Sequence, residues 1–503
     1  MPDITIIQPN EAFSWRSNKL GENNQDSPNY KHPDYIEYQY DVERCEDFYE
    51  GRRAWISGLN YANFDSIKLQ EYLPKAPAEE GEEYFDRARR TLFHNFFRPS
   101  IDMFVALISK FDLTDNVSES ILINQSNVDL KGSDLTSFKT DADTWALRDG
   151  FAVIVISYPE SAIANARPYL NLIEREDLIN WDFTYDESGA EKMTLAVIKR
   201  EETEKINQFA SEEIETRWVY ALDENGFVTT EKYYKSVEKS KPTRGKKTTE
   251  TWVSYDDPPV ILRDANQQPL TEIPIVIYSV SDREAICEAP PLLDLLEKVK
   301  CHYQTYSDYQ RTIFKLQPTY IRRWQGSIPE NAPAMVIGSS LAIEAAFGCE
   351  VDVLQINPST VEPMRQMLAD LRAEIKAEAL SFLGQSTVQQ TDDEIALKMA
   401  QGKASLRKFA LRQKSLWQQV FSYWDRWLGL EPTNASIDVD INVLDKPVTP
   451  QEVQVVLDAV ASGTMDADTG SAKLNQLRWL PEGLKLSAIA PPIDPAIQPS
   501  GGV

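Results

Sequence analysis

Between Pro290 and Leu316 the apolar residues Leu292, Leu296, Val299, Tyr303, Tyr306 and Ile313 recur at steps of three, four or seven. That spacing draws one continuous stripe along a helix, which Pro318 ends. At about 1.5 Å per residue the helix is roughly 35–40 Å long. A second long helix is announced by Ser359-Thr-Val-Glu362, in which a serine oxygen and a glutamate three residues on satisfy free backbone N–H groups. Val361, Met364, Leu368, Leu371 and Ile375 keep the helical step, and Gly384 follows Phe382-Leu383 in the terminating position. QSTVQQTDD (385–393) is polar. A third long helix follows over about 394–428, with Leu406, Phe409, Leu416, Val420, Trp424 and Trp427 as its apolar positions.

The pattern elsewhere divides the chain. Residues 1–40 are polar, rich in Asn and Pro, and read as an extended arm. Helical spacing runs over about 40–57 and 82–111, the latter interrupted by Pro99, and over 135–148 before Gly150. From 150 to 280 the texture becomes that of strands: FAVIVISYP, PYLNLIE, KMTLAVIKRE, ETRWVYAL, GFVTTEKYYKS, ETWVSY and IPIVIYSV, with turn-formers between them. The basic stretch KSVEKSKPTRGKK (235–247) reads as a solvated hairpin tip. Residues 319–357 are short and mixed, with strand-like runs around a Gly-Ser turn. SIDVDINVL is strand-like. Thr449, Pro450, Glu452 and Gly463 mark the ends of a helix over 449–463, another follows, and the tail from Ala490 is Pro-rich.

Charge and composition narrow the function. The 503 residues carry a formal charge of −26, which excludes a nucleic-acid binder with a broad basic face and leaves only local grips on a polyanion. An apolar fraction of 42% can build a sizeable core. Cys45, Cys287, Cys301 and Cys349 are scattered, as expected of reduced thiols in a cytosol-like setting. No run is apolar enough for a membrane span, and MPDITIIQPNEAFSW is not expected to act as a secretion signal.

The motifs of phosphate-binding loops, dinucleotide folds, zincins and nucleophile elbows do not occur. His32, His94 and His302 have no ligand spacing, and His302 is expected on a helix surface. Asp392-Asp393-Glu394 admits two readings: a carboxylate cluster of a metal-dependent nuclease or hydrolase, or negative charge at a helix start. The second is preferred, because no matching acidic cluster accompanies it. Lys398, Lys403, Arg407, Lys408, Arg412, Lys414 and Arg426 invert the local charge of the third long helix. They suit either a polyanion contact or a solvated face.

The ordered series of segments resembles the portal proteins of tailed bacteriophages. It is carried by GRRAWISGLNYANF, by YFDRARRTLFHNFFRPSIDMFVALISK, by TWALRDGFAVIVISYPES with ARPYLNLIEREDLINWDF, and by PPLLDLLEKVKCHYQTYSDYQRTIFKLQPTYI. The likeness spans roughly residues 45–480, and the length of 200–265, with its basic stretch, departs from it. It implies an α+β portal fold assembled as a ring around a DNA channel, twelve copies in the virion. The implied parts are an arm (1–40), a wing (41–288), a first stem helix (289–317), a clip (318–357) and a second stem helix (358–384). A tunnel loop (385–393), a long wing helix with a β-like return (394–448), a helical crown (449–484) and a tail (485–503) complete it.

The same resemblance implies a conduit that is not an enzyme and uses no cofactor or metal. Gln385, Ser386, Thr387, Gln389 and Gln390 would face DNA, with Lys398, Lys403 and Arg407 as backbone contacts. Arg322, Arg323 and Trp324 would meet the terminase or a head–tail adaptor. Leu292, Leu296, Val299, Tyr303, Tyr306, Leu368, Leu371 and Ile375 would form the subunit interface of the stem. Capsid protein and scaffold would be further partners, at one capsid vertex after assembly in the host cytoplasm. A non-channel scaffold protein is the other reading of a chain without catalytic motifs.

Overall fold

A computed structural model describes residues 27–60, 66–77, 79–159, 166–185, 189–237, 250–255, 258–281, 286, 288–315, 319–324, 349–354, 361–383 and 392–440, with scattered positions over 454–473. The chain forms two compact units, Met1–Asp440 and Ile441–Val503. The crown expected over 449–484 falls almost wholly outside the described residues, and the tail entirely so.

Helices and strands are mixed, and every strand pair among the described residues is antiparallel. The first helix, α1 (Pro33–Glu50), begins inside the expected arm. Pro33 takes the first helical position, where no N–H is missed, and His32 Nδ1 accepts from the Asp34 amide at 3.2 Å. Residues just before it are also held: His32 stacks on Trp181 at 4.3 Å, and the Arg217 guanidinium donates to Asn29 Oδ1 at 2.6 Å. The expectation of an extended arm through residue 40 is therefore corrected.

Short helices α2 (Arg53–Ile56) and α3 (Ile67–Tyr72) lead to α4 (Gly81–Arg90) and α5 (Phe97–Ile108). The break comes at residues 91–96, ahead of Pro99, which sits in the first turn of α5 where proline costs no hydrogen bond. Strand β1 (Phe111–Leu113) and α6 (Glu119–Asn124) precede α7 (Leu135–Asp149), ended by Gly150 at φ +99°. A Cβ there would lie 2.9 Å from Arg175 Nη1.

The run FAVIVIS becomes β2 (Phe151–Ser157), buried at six consecutive positions, with α7 and the last long helix both packed against it. It is the central strand of a three-stranded sheet with β3 (Tyr169–Ile173) and β10 (Ile275–Ser279). Between these, β4 (Leu178–Tyr185), β5 (Glu191–Lys205), β6 (Ser211–Leu222), β7 (Val228–Val237) and β8 (Glu250–Ser254) form an antiparallel meander, and β9 (Val260–Ile261) pairs with β7.

The remaining elements are α8 (Leu293–Lys315), β11 (Thr319–Trp324), β12 (Cys349–Leu354), α9 (Val361–Leu383), α10 (Asp392–Trp427) and β13 (Ile437–Val439). β13 pairs with β1, so the chain after α10 returns to the beginning of the fold. Asp143 fastens α10 to the core. Its carboxylate, wholly buried, accepts from Lys139 Nζ at 2.6 Å, the Tyr278 hydroxyl at 2.6 Å and Gln413 Nε2 at 2.7 Å. Burial drives its pKa up, and the Lys139 ammonium opposes that rise.

Candidate functional site

The region that the sequence singles out is the run α8, β11, β12, α9, α10. Later positions of α8 meet earlier positions of α9: Lys298 pairs with Glu378 at 2.7 Å, and Arg372 Nε donates to His302 Nε2 at 3.1 Å. The two helices are therefore antiparallel, each 23 residues and about 34 Å long. β11 starts just beyond the end of α8, and β12 ends just before α9. The two strands pair antiparallel from Thr319↔Leu354 to Trp324↔Cys349, so a strand ladder leads out from one end of the helix pair. Arg322 stands opposite Val351, Arg323 opposite Glu350 and Trp324 opposite Cys349 in that ladder. α10, with 36 residues, is about 54 Å long.

The stripe on α8 is largely covered by the chain itself. Leu292, Leu296, Val299 and Tyr303 are buried within the single chain, as are Leu368 and Ile375 of α9, and Tyr306 and Leu371 are half-buried. Tyr303 lies in a ring cluster with Trp55 (5.9 Å) and Phe93 (5.4 Å), residues of the two N-terminal aromatic segments. Polar ties run along the same helix: Glu297 pairs with Arg44, Gln304 Nε2 donates to the Tyr72 carbonyl at 3.2 Å, and Arg87 Nη1 donates to Ser307 Oγ at 2.9 Å. The six fully buried ones therefore leave little for a subunit interface to cover, while Tyr306 and Leu371 keep part of their surface. A residue already removed from water by its own chain has no area left to bury against a neighbour. The sequence pattern identified the buried side of α8 correctly but could not say which surface buries it.

α9 is held along one side only. Val361, Met364, Leu368, Leu371, Ile375 and Ala379 are buried or half-buried, while Glu362, Arg365, Met367, Arg372, Glu374 and Lys376 are exposed. Its outer faces are open to solvent, as are Cys301, Asp308, Ile313 and Phe314 of α8.

His302 is also corrected: it is buried, not on a helix surface. It stacks on Tyr306 at 6.1 Å and meets the His94 ring at 5.6 Å and Phe96 at 5.4 Å. Since its Nε2 accepts from Arg372, its proton sits on Nδ1 when neutral. Burial, then the positive Arg372 and then His94, push its pKa down to about 4. The two histidines lie more than two hundred positions apart, and nothing in their local spacing predicts the meeting.

Gln385, Ser386, Thr387, Gln389 and Gln390 lie outside the described residues. Lys398 and Lys403 lie in α10, as do Asp392, Asp393 and Glu394 at its first turn. Arg407 is exposed on the same helix. A second acidic group, absent from the sequence reading, consists of Glu46, Glu174 and Glu176, whose carboxylate oxygens lie within 4.8 Å of one another. Arg148 Nη2 stands in it, 3.2 Å from Glu46 and from Glu174 and 2.6 Å from Asp149, so a guanidinium already meets this charge. Burial, then the charge of Asp149, raises the pKa of Glu46.

Residues 291–428, under a third of the chain, match a family described as a domain of unknown function (DUF4055). The match covers α8 to α10 and includes both long helices and the ladder. No curated protein matches the chain. Among solved structures, the chain is similar to one in the virion of a native gene transfer agent particle, at 12% identity and a TM-score of 0.37, over 79% of this chain and 93% of that one. It is similar to one in the neck of an empty particle of that kind, solved with C6 symmetry, at 11% identity and a TM-score of 0.38, over 78% and 92%. A third, in the neck of the native particle solved with C12 symmetry, shares 12% identity at a TM-score of 0.35, over 82% and 92%. TM-scores of this size do not establish a common fold.

Proposed function

We propose that this chain is one subunit of a bacteriophage portal ring, the conduit through which a genome enters the capsid and later leaves it. The observation that carries the reading is the order of the matched region: a long helix, an antiparallel strand pair leading away from it, a second long helix running back, and a third, longer helix. It is the order of stem, clip, stem and wing helix that the sequence resemblance implies.

In this reading the ladder of β11 and β12 is the clip, with Arg322, Arg323 and Trp324 offered to the terminase motor or a head–tail adaptor. Residues 385–393 approach DNA through Gln385, Ser386, Thr387, Gln389 and Gln390, and Lys398, Lys403 and Arg407 touch its phosphates. An acidic wall with sparse cations lets duplex slide without sticking, since each phosphate contact is weak and replaceable. The protein acts as a conduit and docking ring, not as an enzyme. It works at one capsid vertex, in contact with capsid protein and scaffold during assembly in the host cytoplasm. With α8 packed into its own chain, the outer faces of α9 supply contacts between neighbours.

Negative-stain imaging of the purified full-length protein tests the reading. Rings with a central opening wide enough for duplex are expected. A uniform population of single 57.2 kDa chains overturns it.

A further inference from the structure

The β5–β6 hairpin outruns its sheet. β4 pairs with β5 only over 191–198, and β7 pairs with β6 only from Thr216 onward. Among the described residues, 199–215 therefore pair only with one another, as a two-stranded ribbon. Its charge pattern breaks a rule of strand pairing. Glu204 stands directly opposite Glu212 and Glu201 opposite Glu215, where like charges repel. Arg217 and Lys235 lie beside Glu215 at the base. Farther out, Glu204, Glu212 and Glu213 are exposed.

At the end of this acidic ribbon are two large apolar side chains, Phe209 at 94% exposure and Ile206 at 62%. The turn holds them in place: Asn207 Oδ1 accepts from the amides of Phe209 and Ala210, both at 2.9 Å. An exposed aromatic tip beyond facing carboxylates, Glu204 and Glu212, is a local choice that costs the isolated chain stability. Such a breach marks a contact made elsewhere.

The same chain carries a surface of the opposite character. Between α4 and the second half of α8 lies an open groove of about 460 Å³, lined by Arg87, Arg90, Tyr309, Arg311, Ile313 and Phe314 among others, with no carboxylate in its lining. Arg87 is held by Glu79 at 2.8 Å and Arg311 by Glu83 at 3.4 Å, behind the groove. Arg90 lies 4.0 Å over the Phe314 ring, and Ile313 and Phe314 are 42% and 52% exposed. An apolar floor flanked by guanidinium groups, in a chain of net charge −26, fits the ribbon's tip in both polarity and charge.

We propose that the Phe209–Ile206 tip seats in the groove beside Arg90 and Phe314 of a second copy of this chain. The two surfaces are different patches of one molecule, so the contact is head-to-tail, the kind that closes into a ring when the rotation allows. The inference rests on the ring reading above and names a contact for it in the segment that departs from the family resemblance. Phe209 and Ile206 enter the apolar floor. Glu204, Glu212 and Glu213 lie along the guanidinium groups, which removes the cross-strand repulsion.

The test uses the full-length protein and light scattering over a range of concentrations. Phe209→Ser and Arg90→Glu each alter an exposed side chain, and unchanged thermal melts confirm that the fold is kept. Each is expected to raise the concentration at which rings half-assemble by about tenfold or more. Combining Arg90→Glu with Glu212→Arg is expected to restore assembly, which a merely structural role for either residue does not do. Wild-type rings that assemble equally well with Phe209→Ser and Arg90→Glu overturn this contact and leave the ring reading standing. So does a charge swap that fails to rescue. A wild-type protein that stays monomeric at every concentration overturns both.

Discussion

Leu296 has no exposed surface, and Val299 and Tyr303, one and two turns further along α8, are buried as well. Leu296→Asp buries a carboxylate there without a partner, at a cost of several kcal/mol. A denaturant midpoint measured on the monomeric variant is expected to fall steeply, with lost assembly only as a consequence of lost folding. His302 makes stability depend on pH. Its folded pKa, about 4, lies below the ordinary value of 6.5, so the unfolded chain binds the proton more readily. The stabilisation is complete above pH 6.5 and is lost as pH falls from 6.5 towards 4. Urea titrations at pH 7 and pH 5 are expected to show a smaller difference in His302→Gln than in the wild type. Neither site was legible as such in the sequence. Helical spacing marked the stripe of Leu296 and Tyr303 as buried, but Tyr303 is covered by Trp55 and Phe93, far away in sequence. His302 looked like a surface residue because its partners, His94 and Arg372, come from other elements.

At the scale of elements the sequence said much more. The three long helices fall within three residues of the expected bounds, because their apolar steps, caps and prolines are local signals. The strands of 150–280 were visible for the same reason. What local signals missed is reach: the start of α1 at Pro33, inside an apparently unstructured polar stretch, follows from ties to Trp181 and Arg217 in the distant sheet. The break between α4 and α5 comes before Pro99, since proline is accepted in a first turn. The segment between α9 and α10 is polar in sequence. Deleting Gln385–Gln390 is expected to leave ring assembly intact in negative stain while lowering the amount of DNA retained in particles. Failure of the rings to form contradicts its assignment to the channel.

The whole molecule is closed by the shortest of its sheets. Phe111–Leu113 and Ile437–Val439 pair across more than three hundred residues, and every element from α6 to α10 lies between them in sequence. The second unit begins just beyond, at Ile441. A chain ended after Asp440 is expected to keep the melting transition of the first unit, because β13 and the buried Ala435 and Ile437 remain. A chain ended after Pro432 is expected to lose it or to melt well below the wild type.

That clasp also has a consequence in time. During synthesis, at roughly 5–20 residues per second, β1 emerges early and waits on the order of a minute or less for its partner strand to leave the ribosome. Until then α5 and α7 lack the last helix that covers β2, and the apolar strand stays open to whatever meets it. The first unit therefore closes only once Ile437–Val439 has been made.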